Sequence, residues 1–264
     1  MKKTYFICMT LALAALTACQ QGREELTPSE DLVEWTFEAP ATKASFDAAG
    51  KFSWEAGDQI ALWDETSGAF VHFTTVTGSG LFYAKAPADA NFSGTAYYPT
   101  EIASASGVVL SGEAHPLCAI LEPGSNILHF KHIGAYLSLD VKNIPAEAVK
   151  LVVASESTAF RGTFTLTEGV WNADGTAGQV DFPVSGADMQ LTLPVPVGSY
   201  TVSYRLENAG GEPLFTCSTD GDFSFERAHS YSFPVHNFNP APSLSEITVE
   251  LEDFEIDADG DYWE

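Results

Sequence analysis

The sequence predicts an all-β protein of antiparallel β-sandwiches, and three observations carry the prediction. Apolar residues recur at every second position in short runs, the period of a half-buried strand. Turn signals rich in Gly, Asp and Ser punctuate those runs. Aromatic residues form 12% of the chain, with 18 Phe, 9 Tyr and 5 Trp, and such side chains suit a pleated surface. No alternation of strand and helix patterns is present, which argues against a doubly wound nucleotide-binding fold.

Val33, Trp35 and Phe37 open the pattern, alternating with polar residues. Ile60 and Leu62 follow, against Ala61 and Trp63. Leu137, Leu139 and Val141 alternate with Tyr136, Ser138 and Asp140. Met189, Leu191 and Leu193 then precede Tyr200, Val202, Tyr204 and Leu206, and Tyr231, Phe233 and Val235 close the series. Ala49-Gly50, Ser67-Gly68, Gly78-Ser79-Gly80, Asp174-Gly175, Gly210-Gly211 and Asp220-Gly221 mark turns between them. The best helical candidate is a turn or two at residues 145–149.

The chain has 264 residues, enough for one large or two modest domains. It carries 36 acidic and 12 basic residues, a net charge of −24. Nucleic-acid binders neutralise phosphates with Lys and Arg, so this balance argues against one, and equally against a cationic patch on anionic lipid. The organisation expected is a signal segment at 1–18, a tether at 19–30, an N-terminal sandwich at 31–125, and a C-terminal sandwich with an acidic tail at 126–264. A polar stretch containing Gly and Pro at 112–124 suggests the boundary.

The first residues read as an export address. Lys2 and Lys3 precede an apolar run at 4–16 that is too short to span a bilayer. Leu16-Thr17-Ala18-Cys19 resembles the lipobox of bacterial lipoproteins. That resemblance makes Cys19 the lipid anchor, carrying acyl chains such as palmitate, and several chains anchor stably where one does not. Glu24 and Glu25 loosely fit surface-export signals of Gram-negative lipoproteins. Cys118 and Cys217 then remain in the body of the protein, either paired in an oxidising compartment or buried as free thiols.

Catalytic constellations are missing. There is no His-Glu-x-x-His, no Gly-x-Ser-x-Gly and no Gly-x-x-x-x-Gly-Lys. His129 and His132 are three apart, which in a strand sets them on opposite faces, so no metal site is expected. Asp257, Asp259 and Asp261 imitate the start of a calcium loop. However, Tyr262 stands where the sharp-turn Gly belongs, and a solvated acidic tail is the better reading. No cofactor is expected.

Several segments together resemble the fimbrillin family of Gram-negative surface lipoproteins. Phe52-Ser53-Trp54-Glu55-Ala56-Gly57-Asp58-Gln59-Ile60-Ala61-Leu62-Trp63 resembles its early first-domain signature and follows a Thr42-Lys43-Ala44 loop. Ala96-Tyr97-Tyr98-Pro99 resembles a strand end, and Phe130-Lys131-His132-Ile133-Gly134-Ala135-Tyr136-Leu137 a following strand. Phe160-Arg161-Gly162-Thr163 and Leu193-Pro194-Val195-Pro196-Val197-Gly198-Ser199-Tyr200 resemble second-domain strands.

The resemblance implies two tandem transthyretin-like sandwiches, no catalysis, and a structural or adhesive role as stalk, anchor or tip of cell-surface fimbriae. It implies other fimbrial subunits as partners, in a homo- or hetero-polymer, and display on the outer membrane or in the fimbrium. A host or bacterial surface ligand is also expected. In that family a protease removes the lipidated leader and first strand, and a neighbour's strand fills the groove by β-augmentation. Lys43 stands after the first strand and is the candidate processing site, whereas Arg23 precedes it. Ile247, Val249 and Leu251 alternate with Thr248 and Glu250 after the connector Asn239-Pro240-Ala241-Pro242. They form either the inward face of a donor strand or the last strand of the second domain. The competing reading is a surface glycan-binding lipoprotein of the outer membrane, which needs exposed faces among Trp35, Trp54, Trp63, Trp171 and Trp263.

Overall fold

The computed structural model describes residues 32–40, 45–46, 52–112, 115–219, 221–235 and 250–252, at 45–46, 52, 234–235 and 250–252 by backbone alone. In chain order the strands of the first part are β1 (Leu32–Glu38), β2 (Ser45–Phe46), β3 (Phe52–Ser53), β4 (Gln59–Asp64), β5 (Ala69–Thr74), β6 (Leu81–Pro87), β7 (Phe92–Tyr98), β8 (Ala103–Ser104), β9 (Gly107–Leu110), β10 (Leu117–Ile120) and β11 (Lys131–His132). The second part runs through β12 (Ala135–Val141), β13 (Ala148–Ser155), β14 (Gly162–Phe164), β15 (Gly178–Pro183), β16 (Met189–Val195), β17 (Gly198–Tyr200), β18 (Ser203–Asn208), β19 (Pro213–Ser218), β20 (Phe223–Phe225), β21 (Ser230–Val235) and β22 (Glu250–Glu252). The only helical turn among the described residues is 3-10, at Thr100–Ile102. The fold is therefore nearly all β. The helical candidate at 145–149 is a turn closed by Ala148 N–H donating to the Pro145 carbonyl, after which the chain runs straight into β13. No described helix is long and apolar enough to cross a membrane.

Seven strands form the first sheet, in the order β1-β6-β5-β4-β7-β10-β11. One face carries Phe37, Ile60, Leu62, Phe73, Phe82 and Leu117 into a common core with Trp54 and Phe130. The plain alternation expected of β4 is not what forms. Ile60, Ala61 and Leu62 are all fully buried, because this part of the sheet has a second cluster on its other face, built on Tyr97, Val108, Cys118 and Trp171.

The second part is a sandwich. One sheet runs β16-β12-β21-β22 and the other β15-β13-β18-β19. Leu137, Leu139 and Val141 point into the core between them, facing Leu151 and Val153 of β13 and Leu206 of β18. Most pairs are antiparallel, but β12 and β21 lie parallel, with Leu137 beside Tyr231 and Leu139 beside Phe233. Parallel pairing joins strands distant in sequence, and here it closes the second core with its first and last long strands.

The two parts are joined through the shared cluster, in which Ile133, Phe164 and Trp171 pack with Tyr97, Ile102 and Leu110. Strand β14 pairs with β9 across this seam. Gly107 makes the pairing feasible. Its φ is +137°, and a Cβ there would lie 2.0 Å from the Phe164 carbonyl oxygen.

Candidate functional site

The candidate site is a pair of sheet edges, where backbone donors and acceptors can be offered to another strand. Strand β1 is the outermost strand of the first sheet and pairs with β6 along its whole length, from Leu32 opposite Pro87 to Glu38 opposite Leu81. Val33, Trp35 and Phe37 face inward opposite Ala86, Ala84 and Phe82. Burial deepens along the strand: Val33 is 40% exposed, Trp35 is half-buried, and Phe37 is 4% exposed. The Phe37 ring meets Phe73 and Phe92 edge-on at 5.1 and 5.8 Å, and Trp35 meets Phe92 at 5.1 Å. The Trp35 indole N–H donates to the Pro87 carbonyl at 3.2 Å.

Strand β6 depends on this partner. On its other side it shares a single register pair with β5, Thr74 opposite Tyr83. The exit of β1 is held separately. Glu38 N–H donates to the Asn126 carbonyl, Leu128 N–H donates to the Glu38 carbonyl, and Ala39 N–H donates to the Gly80 carbonyl. Gly80 has φ +82°, and a Cβ there would meet the Ala39 oxygen at 2.3 Å.

The second edge lies beside β21, where β22 pairs antiparallel with Leu251 opposite Tyr231 and Glu252 opposite Ser230. Leu251 is thus placed by its backbone on the outer edge of the second sandwich. Ile247, Val249, the candidate processing site Lys43 and the candidate anchor Cys19 lie outside the described residues.

Other expected positions resolve more simply. Cys118 and Cys217 are free thiols. Burial pushes the Cys118 thiol up to about 12, so it stays protonated and unreactive. His129 is exposed and His132 is buried, so the two share no site. Among the described residues no group of three His, Cys, Asp or Glu is placed to hold a metal ion. Trp54 and Trp171 are 5% and 1% exposed, and Trp63 is half-buried with its indole N–H donating to Glu65. No row of exposed Trp exists among the described residues. Trp263 lies outside them.

Two polar groups escaped sequence reading. Asp64 is fully buried, and its carboxylate accepts the backbone N–H groups of Asn91, Thr66 and Ser67 at 2.8, 3.0 and 3.2 Å. Burial alone would raise its pKa. The Ser67 side chain and these backbone donors outweigh that and hold it below the usual carboxylate value. His132 shares a hydrogen bond with the Tyr136 hydroxyl, and the His115 ring lies 5.1 Å from Tyr136. Burial lowers His115 to about 4, and burial with the nearby His115 and Arg227 lowers His132 to about 3. Asp64 ends a strand before a turn, a weak signal for a cap. The histidine pair has no sequence signal, since its members meet only in the fold.

The fold is shared with a protein of Bacteroides ovatus ATCC 8483. That solved structure, described as a "putative cell adhesion protein", is 16% identical, with a TM-score of 0.55, and the match covers 85% of this chain and 99% of that one. The tip fimbrial protein Mfa3 from Porphyromonas gingivalis, solved with a C-terminal truncation, is 10% identical over 83% of this chain and 99% of that chain, at a TM-score of 0.39. The fimbrial anchor protein Mfa2 from the same species is 11% identical over 78% and 91%, at a TM-score of 0.33. No family model matches the chain, and no curated protein matches it. The fold agrees with the all-β architecture that the fimbrillin resemblance implies.

Proposed function

We propose that this chain is a non-catalytic, fimbrillin-like surface lipoprotein that serves as a structural or accessory subunit of cell-surface fimbriae, as stalk, anchor or tip. The observation that carries the reading is the dependence of β6 on β1: β6 pairs along its whole length only with this edge strand and shares one register pair with β5, so a second chain could complete it once β1 leaves. Cleavage after Lys43 would free β1 and leave Phe82, Ala84 and Ala86 as an open apolar row beside an unpaired ladder edge. Ile247, Val249 and Leu251 of a neighbouring copy share the every-second-residue spacing of Val33, Trp35 and Phe37, so they fit the same row. Among the described residues, the three of β22 would have to leave their own sheet edge. The shared fold with a protein described in terms of cell adhesion supports the same direction. The reading includes acylation of Cys19, division of the chain into two tandem sandwiches, display on the outer membrane, and other fimbrial subunits as partners.

The test is an SDS gel of surface protein from the native host after mild and full heating, with N-terminal sequencing of each band. A heat-sensitive ladder whose subunits start at Ala44 is expected, because a strand-exchanged fibre must break whole ladders at once. A lone monomer band would remove the polymerising role. If that band starts at an acylated Cys19, an anchor is left.

A further inference from the structure

A polar cleft of about 630 Å³ lies on the outer face of the second sandwich, within the range of ~300–1,000 Å³ common to small-ligand sites. Its floor follows from the strand period. Leu151 and Val153 of β13, Tyr204 and Leu206 of β18, and Phe215 and Cys217 of β19 pack against the core, so the residues between them face outward. Ala154 stands opposite Ser203, and Ser203 opposite Ser218, with Thr216 two residues earlier on the same face. The turn after β13 brings Glu156 to the lining, and the turn after β19 brings Asp222. Both walls are held. Ser155, 6% exposed, accepts the Ser157 N–H at 3.3 Å across Glu156, and the Thr201 hydroxyl donates to Asp222 Oδ1 at 3.0 Å. Ser203 donates to the Ala154 carbonyl at 3.3 Å. The Thr216 and Ser218 hydroxyls bond to no group among the described residues. No Lys, Arg or His among the described residues lines the cleft, and Arg205, next to Ser203 on the same face, is paired with Glu207.

We propose that this cleft binds a neutral saccharide. The donor and acceptor inventory carries the assignment. An anion would meet Glu156 and Asp222 with no cation to offset them. A cation would suit those carboxylates but would offer no acceptor to the hydroxyl donors of the floor. A polyhydroxyl ligand uses both: its hydroxyls donate to Glu156 and Asp222, which only accept, and exchange hydrogen bonds with Thr216 and Ser218, which do either. The methyl groups of Ala154 and Thr216 supply apolar contact for the C–H groups of a sugar ring. Facing hydroxyls on paired strands are about 5 Å apart, and those two residues apart on one strand about 7 Å. One sugar ring, or two linked rings, therefore reaches several of them at once. The site uses none of the five tryptophans, and it does not rest on the fimbrial reading.

The whole chain is applied to a printed array of neutral oligosaccharides that also carries chitosan trisaccharide, a cationic sugar, and a sulfated heparin tetrasaccharide. Binding to neutral members is expected, and calorimetry with the strongest of them gives the dissociation constant. Thr216→Val combined with Ser218→Ala should weaken that binding roughly tenfold or more, because two hydrogen-bonding groups are lost at the floor. Asp222→Asn should weaken it too. Thr192→Val, on the opposite sheet between the buried Leu191 and Leu193, should leave it unchanged, and so should raising the salt concentration, since no charge is neutralised on binding. Unchanged hydrogen-exchange protection across β12 certifies that each variant is folded. Binding of no neutral oligosaccharide would overturn the proposal. Binding confined to the chitosan trisaccharide and lost in high salt would overturn it as well, since the cleft would then be an amine site. Neutral binding indifferent to the Thr216 and Ser218 substitutions would place the sugar elsewhere and overturn it equally.

Discussion

The two parts of the molecule close their cores in different ways. The first part seals an aromatic cluster with an edge strand: β1 brings Phe37 and Trp35 to Phe73 and Phe92 and is held by one ladder, to β6. The second part is closed by β12, which is paired on both sides, to β16 and to β21. Removing an edge strand breaks one ladder, while removing a central strand breaks two and empties the core. The edge strands are therefore β1 in the first sheet and β22, beside β21, in the second sandwich, and β12 is the scaffold of that sandwich.

The sharpest way to break this comparison is a pair of core truncations. Leu139→Ala in β12, fully buried, should cost about 2–5 kcal/mol and Phe37→Ala about 3–5 kcal/mol, both read by chemical denaturation. They should differ in reach. Hydrogen exchange should show the β12 variant loosening the second sandwich throughout, and the β1 variant freeing β1 and β6 while β12 stays protected. Equal loosening of both parts by Phe37→Ala would mean that β1 is not a separable edge.

Acid comes next. His115 and His132 have folded pKa values near 4 and 3, below the ordinary value of 6.5. The unfolded chain then binds more protons as the pH falls through 6.5, so stability is full above that value and is lost progressively toward pH 4. Each unit of depression corresponds to about 1.4 kcal/mol. Thermal melts between pH 7 and pH 4 should show the fall, and His132→Phe should flatten it. A profile that stays level in the unmodified protein would show that the pair is not held neutral.

A smaller effect is expected at the turn after β4. Asp64→Asn puts an amide against backbone donors and should cost about 1 kcal/mol, measured by denaturant midpoint. The smallest belongs to the surface of the second sandwich. Lys150 donates to Asp181 and Glu207 at 3.3 and 2.7 Å, and Lys150→Met should change the melting temperature slightly at low salt and not at all in high salt.

Much of the strand inventory was legible in advance. The runs at 33–37, 137–141, 189–193 and 231–235 form strands, because one face of each meets apolar neighbours and the other does not. The run from Tyr200 to Leu206 divides instead into β17 and β18, with Val202 between them, and all four of its apolar residues are buried. The edge strand β1 was legible as the pattern Val33-Trp35-Phe37, and Leu251 falls in β22, while Ile247 and Val249 lie outside the described residues. The buried cluster of His115, His132 and Tyr136 was not legible, because its members carry no shared motif and meet only in the fold.

By itself the sequence determined the local alphabet of this protein: alternation makes strands, Gly and Asp end them, and an acidic excess argues against a nucleic-acid partner, because each of these is a property of neighbouring residues or of a sum. Partnership came only with tertiary structure. That β12 lies parallel to β21, that β9 reaches across to β14, that Ala61 is buried along with Ile60 and Leu62, and that His132 meets the Tyr136 hydroxyl all depend on which surfaces pack together. The period of a strand says which face is apolar and not which other face will cover it, and a ladder of backbone hydrogen bonds accepts almost any partner of compatible length.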